Sequence, residues 1–239
     1  MRAQAQSLFR LGGPLDRFLQ GHPEHASAQA LRLVHLGGYL STPPVRRMEP
    51  DPGAAREGSP GNLPFSEAWD AFTEGLLQYF RSQAWSDRTL LETVVRSTPP
   101  LLVIPEEFRP QARALAGRVL PVVEDALMRW PSDATLWMAW STWAEVYGAS
   151  LIPLLSRVES SPIRPEGSWP PFPVLLRELQ ACEKSNRMDE ARAMLGPWIE
   201  RRLASSPPQL DTSAFTWGDQ DRDELRRRYQ RLIGASAEP

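Results

Sequence analysis

Trp130-Pro-Ser-Asp-Ala-Thr-Leu-Trp137-Met-Ala-Trp140-Ser-Thr-Trp143-Ala-Glu145-Val-Tyr147 is the stretch that decides the fold. Pro131 closes one helix and Asp133 offers a carboxylate to cap the next. Leu136, Trp140, Trp143 and Tyr147 then recur at i, i+4, i+7 and i+11, the spacing of a helical face. Gly148 suits the helix C-terminus. Four tryptophans around one helix boundary read as a joint between two stacked helices.

The same grammar continues on both sides. Upstream, Leu115, Val119, Val122, Val123, Ala126, Leu127 and Trp130 make a broad apolar face on a helix that Pro121 is expected to kink or divide. Pro105, with Glu106 and Glu107, suits the start of that helix. Leu101-Leu102-Val103-Ile104 is a buried connector rather than a strand, since no partner strand is evident. Ser66 is the expected N-cap of a helix lined by Trp69, Phe72, Leu76, Tyr79 and Phe80. Asp87 caps another carrying Leu90, Leu91, Val94 and Val95. Near the N-terminus, Gly12-Gly13-Pro14 breaks a helical pattern. His22-Pro23-Glu24-His25 is a turn, and Ser27 is the expected cap of a helix toward Leu40.

Downstream, Leu151, Leu154, Leu155 and Val158 share a helix that stops at Ser160-Ser161-Pro162. Leu175, Leu179 and Cys182 share another, and Asn186-Arg187 turns the chain. Met188, Ala191, Leu195 and Trp198 line the next helix, which Pro197 should distort. A last helix from about Asp219 is acidic at its start and carries Arg226, Arg227, Arg228 and Arg231 toward its end, matching the helix dipole. Leu225, Tyr229 and Leu232 give it a narrow apolar stripe. The expected fold class is all-α, an irregular α-solenoid of antiparallel helical hairpins. Residues 1–40 form an N-terminal helical pair and 41–64 a flexible Pro/Gly-rich linker. Residues 65–233 form a hairpin array with a terminal covering helix, and 234–239 a disordered tail.

Bulk properties narrow the function classes. With 239 residues the chain can bury a substantial core. A net charge of -2 argues against broad electrostatic binding to nucleic acid or anionic lipid. Cys182 is the only cysteine, so neither an intrachain disulfide nor a Cys-rich zinc site is available. No secretory signal is evident at the N-terminus and no apolar run approaches the ~20 residues of a membrane span, so a cytoplasmic location is expected. Lys184 is the sole lysine; nearly all positive charge is arginine.

Candidate chemistry is sparse. His22 and His25 have a two-ligand metal spacing, but Pro23 intervenes and no carboxylate or cysteine cluster stands nearby, so they read as turn residues. His35 sits in an apolar helix and reads as packing. Cys182, three residues from Leu179 on an apolar face, reads as a core thiol. Glu106-Glu107, Asp189-Glu190 and the 219–224 acidic group stand where helices begin, so capping explains them better than acid/base work. No Gly-rich phosphate loop and no Gly-x-Ser-x-Gly elbow occurs. Arg226 to Arg231, with Tyr229 interleaved, read as a solvated helix end before an RNA contact. No cofactor or metal is expected.

The run through Trp130-Pro131, Leu136-Trp137 and Trp143-Ala144-Glu145 resembles half-a-TPR (HAT) repeats, with their proline between units and aromatic pair in the following helix. Asn186-Arg187-Met188-Asp189-Glu190-Ala191 is similar to the turn and small-residue helix start of a tetratricopeptide (TPR) repeat. The likeness covers roughly residues 112–208, with a fainter echo in 1–40. It departs from the family in having no fixed period, in Pro121 and Pro197, and in its two Pro-rich insertions. The resemblance implies a non-enzymatic scaffold that binds an unidentified protein or peptide. The groove would lie around residues 133–147 and 173–185. Trp137, Trp140, Trp143 and Tyr147 are the expected partner-binding residues. Trp137 and Trp140 lie about 60° apart around the helix and Trp143 about 120° from Trp137, so one edge of that arc reaches the groove. An RNA-associated helical repeat protein and an α-helical enzyme are the alternatives.

Overall fold

The structure is a computed structural model that describes residues 13–41, 64–82, 87–99, 104–161, 170–204 and 219–234. The described residues are helical, with no strand among them. Most of the 41–64 linker, the connector residues 101–103, most of the second Pro-rich connection and almost all of the tail lie outside them. The chain divides into two compact units, 1–122 and 123–239.

In the first unit, α1 (Pro14–Gly21) and α2 (Ala26–Leu40) pack on each other, and α2 packs on α3 (Phe65–Arg81) and α4 (Arg88–Arg96). Residues 14–40 therefore share a core with the helices beyond the expected linker, rather than forming a pair of their own. Leu33, Leu36 and Leu40 of α2, Trp69, Phe72 and Leu76 of α3, and Leu91 and Val94 of α4 are all buried in this packing. Burial of this kind stabilises by roughly 25 cal/mol per Å² of apolar surface. An Asp16–Arg32 ion pair at 2.7 Å ties α1 to α2. Gln29 is buried yet satisfied. Its amide donates to the Pro23 carbonyl and its oxygen accepts from the Ser82 hydroxyl at 3.3 Å. Gly37 is required by α4: a Cβ there would meet the Ser97 carbonyl oxygen at 1.8 Å.

Two expected caps are corrected. Helix α2 starts one residue before Ser27, and the imidazole Nδ1 of His25 accepts from the Ala28 N–H at 3.3 Å in its place. The Pro23 turn, closed by His25 N–H donating to His22, delivers His25 rather than Ser27 to the cap position. Helix α3 begins at Phe65, with Pro64 ahead of it and no side-chain cap, so Ser66 lies inside the first turn. The Phe65 ring is the reason for the early start: it stacks on Trp69 and meets Phe108 at 4.9 Å. Asp87 does cap α4, accepting from Leu90 at 3.1 Å.

Helix α5 (Arg109–Arg129) follows a short 3-10 turn, Glu106–Phe108. Pro121 does not divide it; the proline is exposed, and the helix runs through it to Arg129. The boundary between the two units falls one residue later.

The second unit contains the end of α5, α6 (Ala134–Tyr147), α7 (Ile152–Ser160), α8 (Phe172–Lys184), α9 and α10 (Asp219–Gly234). Asp133 caps α6 by accepting from Thr135 and Leu136 at 2.9 and 3.1 Å. Gly148 ends it in the left-handed conformation, φ 84°. Helix α9 spans residues 188–204 in three stretches: Met188–Glu190, a π turn over Ala191–Leu195, and Gly196–Ala204. Gly196 N–H reaches back to the Ala191 carbonyl, and the wider turn accommodates Pro197, which has no hydrogen to donate to the i−4 carbonyl. The expected distortion at Pro197 is this π turn. Helix α10 packs on α8 and α9 through Leu225, Tyr229 and Leu232, all buried.

Candidate functional site

Helices α6 and α8 leave a groove of about 640 Å³ between them. The α6 wall is Trp140, Ser141, Ala144 and Glu145, continued by Gly148, Ala149 and Ser150. The α8 wall is Val174, Arg177, Glu178, Gln180, Ala181 and Lys184, followed by Ser185 and Arg187. Most of these residues belong to the stretches 133–147 and 173–185 named from sequence, while Gly148, Ala149, Ser150 and Arg187 lie outside them.

The groove exists because of residue size and helix phase. Ser141, Ala144 and Gly148 recur every three or four residues on one face of α6, and Ala181 stands on the facing side of α8. Small side chains there leave the space that the tryptophans fill elsewhere. Arg177 bridges the walls: its Nη1 donates to Ser141 Oγ at 2.8 Å and lies 3.4 Å from the Glu145 carboxylate. Glu178 is only 6% exposed, and Ser150 Oγ donates to it at 2.6 Å. The same hydroxyl accepts from Ile152 N–H at 3.3 Å, which fixes the turn from α6 into α7. Lys184, at the end of α8, is exposed.

Of the aromatic residues singled out from sequence, Trp137, Trp140 and Trp143 are 0%, 2% and 2% exposed, whereas Tyr147 is 45% exposed. Trp137 Nε1–H donates to the Pro131 carbonyl at 2.8 Å, locking the joint between α5 and α6. Trp140 lines the groove floor while its Nε1–H donates at 3.1 Å to Glu124, which also pairs with Arg157 at 2.5 Å. Trp143 lies in the core away from the groove, and Tyr147 is outside its lining. Sequence reasoning did not single out Arg177, Glu178 or Lys184, although Arg177, Ala181 and Lys184 repeat at i, i+4 and i+7 on one face of α8.

The other ionisable candidates do not converge on this groove. His22 faces Glu24 at 3.8 Å, and Phe18 packs on both turn imidazoles at 4.8 and 5.3 Å. Burial lowers the affinity of His35 for a proton. Burial pushes the Cys182 thiol up, with Glu178 adding to this, Arg187 opposing it and Glu190 adding again, so the thiolate a nucleophile requires is disfavoured. Among the described residues no three His, Cys, Asp or Glu side chains gather as metal ligands would. On α10 Arg226, Arg227 and Arg228 are engaged within the chain. Arg226 pairs with Asp223 at 3.4 Å, Arg227 with Glu224 at 2.9 Å, and Arg228 with both Glu224 and Glu183. No helix among the described residues is long and apolar enough to cross a membrane. Compared with protein-family models, curated proteins and solved structures, the chain matches none.

Proposed function

We propose that this protein is a non-enzymatic scaffold: a degenerate TPR/HAT-like array of antiparallel hairpins whose α6/α8 groove receives a peptide or helix from a partner protein. The supporting observation is the groove itself, a space of about 640 Å³ lined by apolar Trp140, Ala144, Val174 and Ala181 together with polar and charged side chains. Peptide- and helix-binding grooves combine apolar and polar lining groups. Glu178 is turned onto Ser150 and Arg177 Nη1 onto Ser141 and Glu145, contacts that fix the walls. General acid/base work needs groups of separated pKa values converging on one point, whereas the cations Arg177 and Lys184 are spread along α8.

The test is to fill the groove. Ala181 lies on its wall and is half-buried, so Ala181→Trp occupies the space without removing a core side chain. Affinity capture with the intact chain and with Ala181→Trp, matched in far-UV circular dichroism, compares the two surfaces. Proteins retained by the first and lost by the second support the proposal. A retained set identical for both places partner binding elsewhere and overturns it.

A further inference from the structure

The cations of the groove narrow what it accepts. Arg177 and Lys184 stand seven residues apart on α8, two turns, so they lie on one line of the helix about 10 Å apart. Ala181 sits between them on the same wall. Arg187 follows just beyond the helix end and pairs at 3.1 Å with Glu190, outside the groove. Lys184 makes no ion pair with any described residue. Both described contacts of Arg177 across the groove are made by Nη1, which leaves the hydrogens on Nη2 and Nε for a ligand. The Glu145 contact, at 3.4 Å between side chains 40% and 53% exposed, is longer than a tight charge-assisted bond and exchangeable. The two carboxylates of the groove are Glu145, already facing Arg177, and Glu178, turned onto Ser150. Lys184 and the Nη2 and Nε donors of Arg177 are therefore the cationic groups this groove offers to a ligand.

We propose that the groove recognises an acidic amphipathic helix whose carboxylates, seven residues apart, dock on Arg177 and Lys184. This rests on the groove reading above and adds the chemistry of its partner. Two carboxylates at i and i+7 have the same separation of about 10 Å as the cations they meet. The partner's carboxylate at Arg177 takes the Nη2 and Nε donors as a fork, a geometry lysine cannot offer. The small side chains of Ala144, Gly148 and Ala181 let the apolar face of the partner helix approach between the two cations.

Three synthetic peptides of about 18 residues, long enough to be helical, test the proposal. They share alanine and leucine positions. The first carries Glu at i and i+7, the second Lys at those positions, and the third the Glu pair with a central proline that breaks the helix. Each is titrated into the intact protein by fluorescence anisotropy at low and moderate salt. Lys184 is the only lysine, so its acylation, read by peptide mapping apart from the α-amino group and at excess reagent, reports occupancy of that site.

The expected result is that the Glu helix binds, binds less tightly as salt rises, and slows acylation of Lys184. Lys184→Glu and Arg177→Gln should each weaken it roughly threefold to tenfold, with Lys184→Glu shifting preference toward the Lys helix. Equal binding of Glu and Lys helices, or a Glu helix indifferent to both substitutions, overturns the acidic preference. If Ala181→Trp still blocks them, the groove itself stands. Equal binding of the proline-broken peptide overturns the helical requirement. No binding by any of the three overturns this inference, while the groove reading is decided separately by the Ala181→Trp capture comparison.

Discussion

Gly37→Ala is the sharpest probe of how the first unit is assembled. The substitution adds one carbon, which would stand 1.8 Å from the Ser97 carbonyl oxygen and 2.8 Å from its carbonyl carbon. Those are backbone atoms at the C-terminal end of α4, where Ser97 N–H donates to the Val94 carbonyl at 3.1 Å, so no side-chain rotation relieves the overlap. The helices must separate. Overpacking of this kind costs about 1–3 kcal/mol or more, against a gain of roughly 0.5–1 kcal/mol from replacing glycine by alanine in a helix. The net expectation is a loss of about 2 kcal/mol. The neighbouring Gly38 supplies the control, because a Cβ there meets nothing within 4 Å. Gly38→Ala should stabilise by roughly 0.5–1 kcal/mol, so adjacent alanines on one helix differ by about 3 kcal/mol. Urea titrations followed by far-UV circular dichroism, with amide exchange resolved over α2 and α4, measure the difference. A Gly37→Ala protein as stable as Gly38→Ala would refute the close approach of α2 to α4.

Asp133→Ala should cost about 1–2 kcal/mol, because two N–H groups at the start of α6 lose their shared acceptor, and Asp133→Asn should recover most of it; chemical denaturation decides. Trp137→Ala should cost about 3–5 kcal/mol, whereas Tyr147→Ala should stay within about 0.5 kcal/mol; thermal melts that reversed this order would invert the assignment of core and surface on α6. The hydrogen bond from Arg228, opposed by partial desolvation and reinforced by the Arg227, Arg228 and Arg231 charges, holds the Glu224 carboxyl below its ordinary value of 4.5. A depressed carboxyl stabilises above its ordinary value and loses that contribution as pH falls through the folded one. Amide protection in α10, corrected for the intrinsic fall of exchange rate with pH, should therefore decline below about pH 4.5, and Glu224→Gln should flatten that dependence.

What the sequence conveyed well was short-range. Asp87, Asp133 and Gly148 act within four residues of themselves, and their caps are where the pattern put them. The π turn before Pro197 is a local consequence of a missing hydrogen, legible as a distortion but not as a π geometry. Long-range features were hidden. No pattern in residues 26–40 announces that Gly37 lies under the Ser97 carbonyl, or that α2 shares its core with α3 and α4 on the far side of a Pro-rich stretch. Ser27 and Ser66 failed as caps because their neighbours decided the helix starts. One is a proline turn that presents His25; the other is an aromatic ring that recruits Phe65 into the first turn.

The tryptophans of α6 teach the converse. An arc of about 120° carrying three indoles reads equally as a wide binding face or as a helix covered on several sides. The polar partners of the indoles decide between these readings. Trp137 Nε1–H is spent on the Pro131 carbonyl and Trp140 Nε1–H on Glu124, a carboxylate that Arg157 also holds. An indole committed at its N–H to a fixed internal acceptor anchors a joint; one awaiting a ligand would keep that donor toward solvent. With the indoles spent on holding α5 against α6, the open face of α6 falls to its small residues, Ser141, Ala144 and Gly148. What faces them on α8 is Arg177, Ala181 and Lys184. The aromatic cluster thus builds the wall behind the groove, and under the proposed function charge rather than aromatic contact selects the occupant.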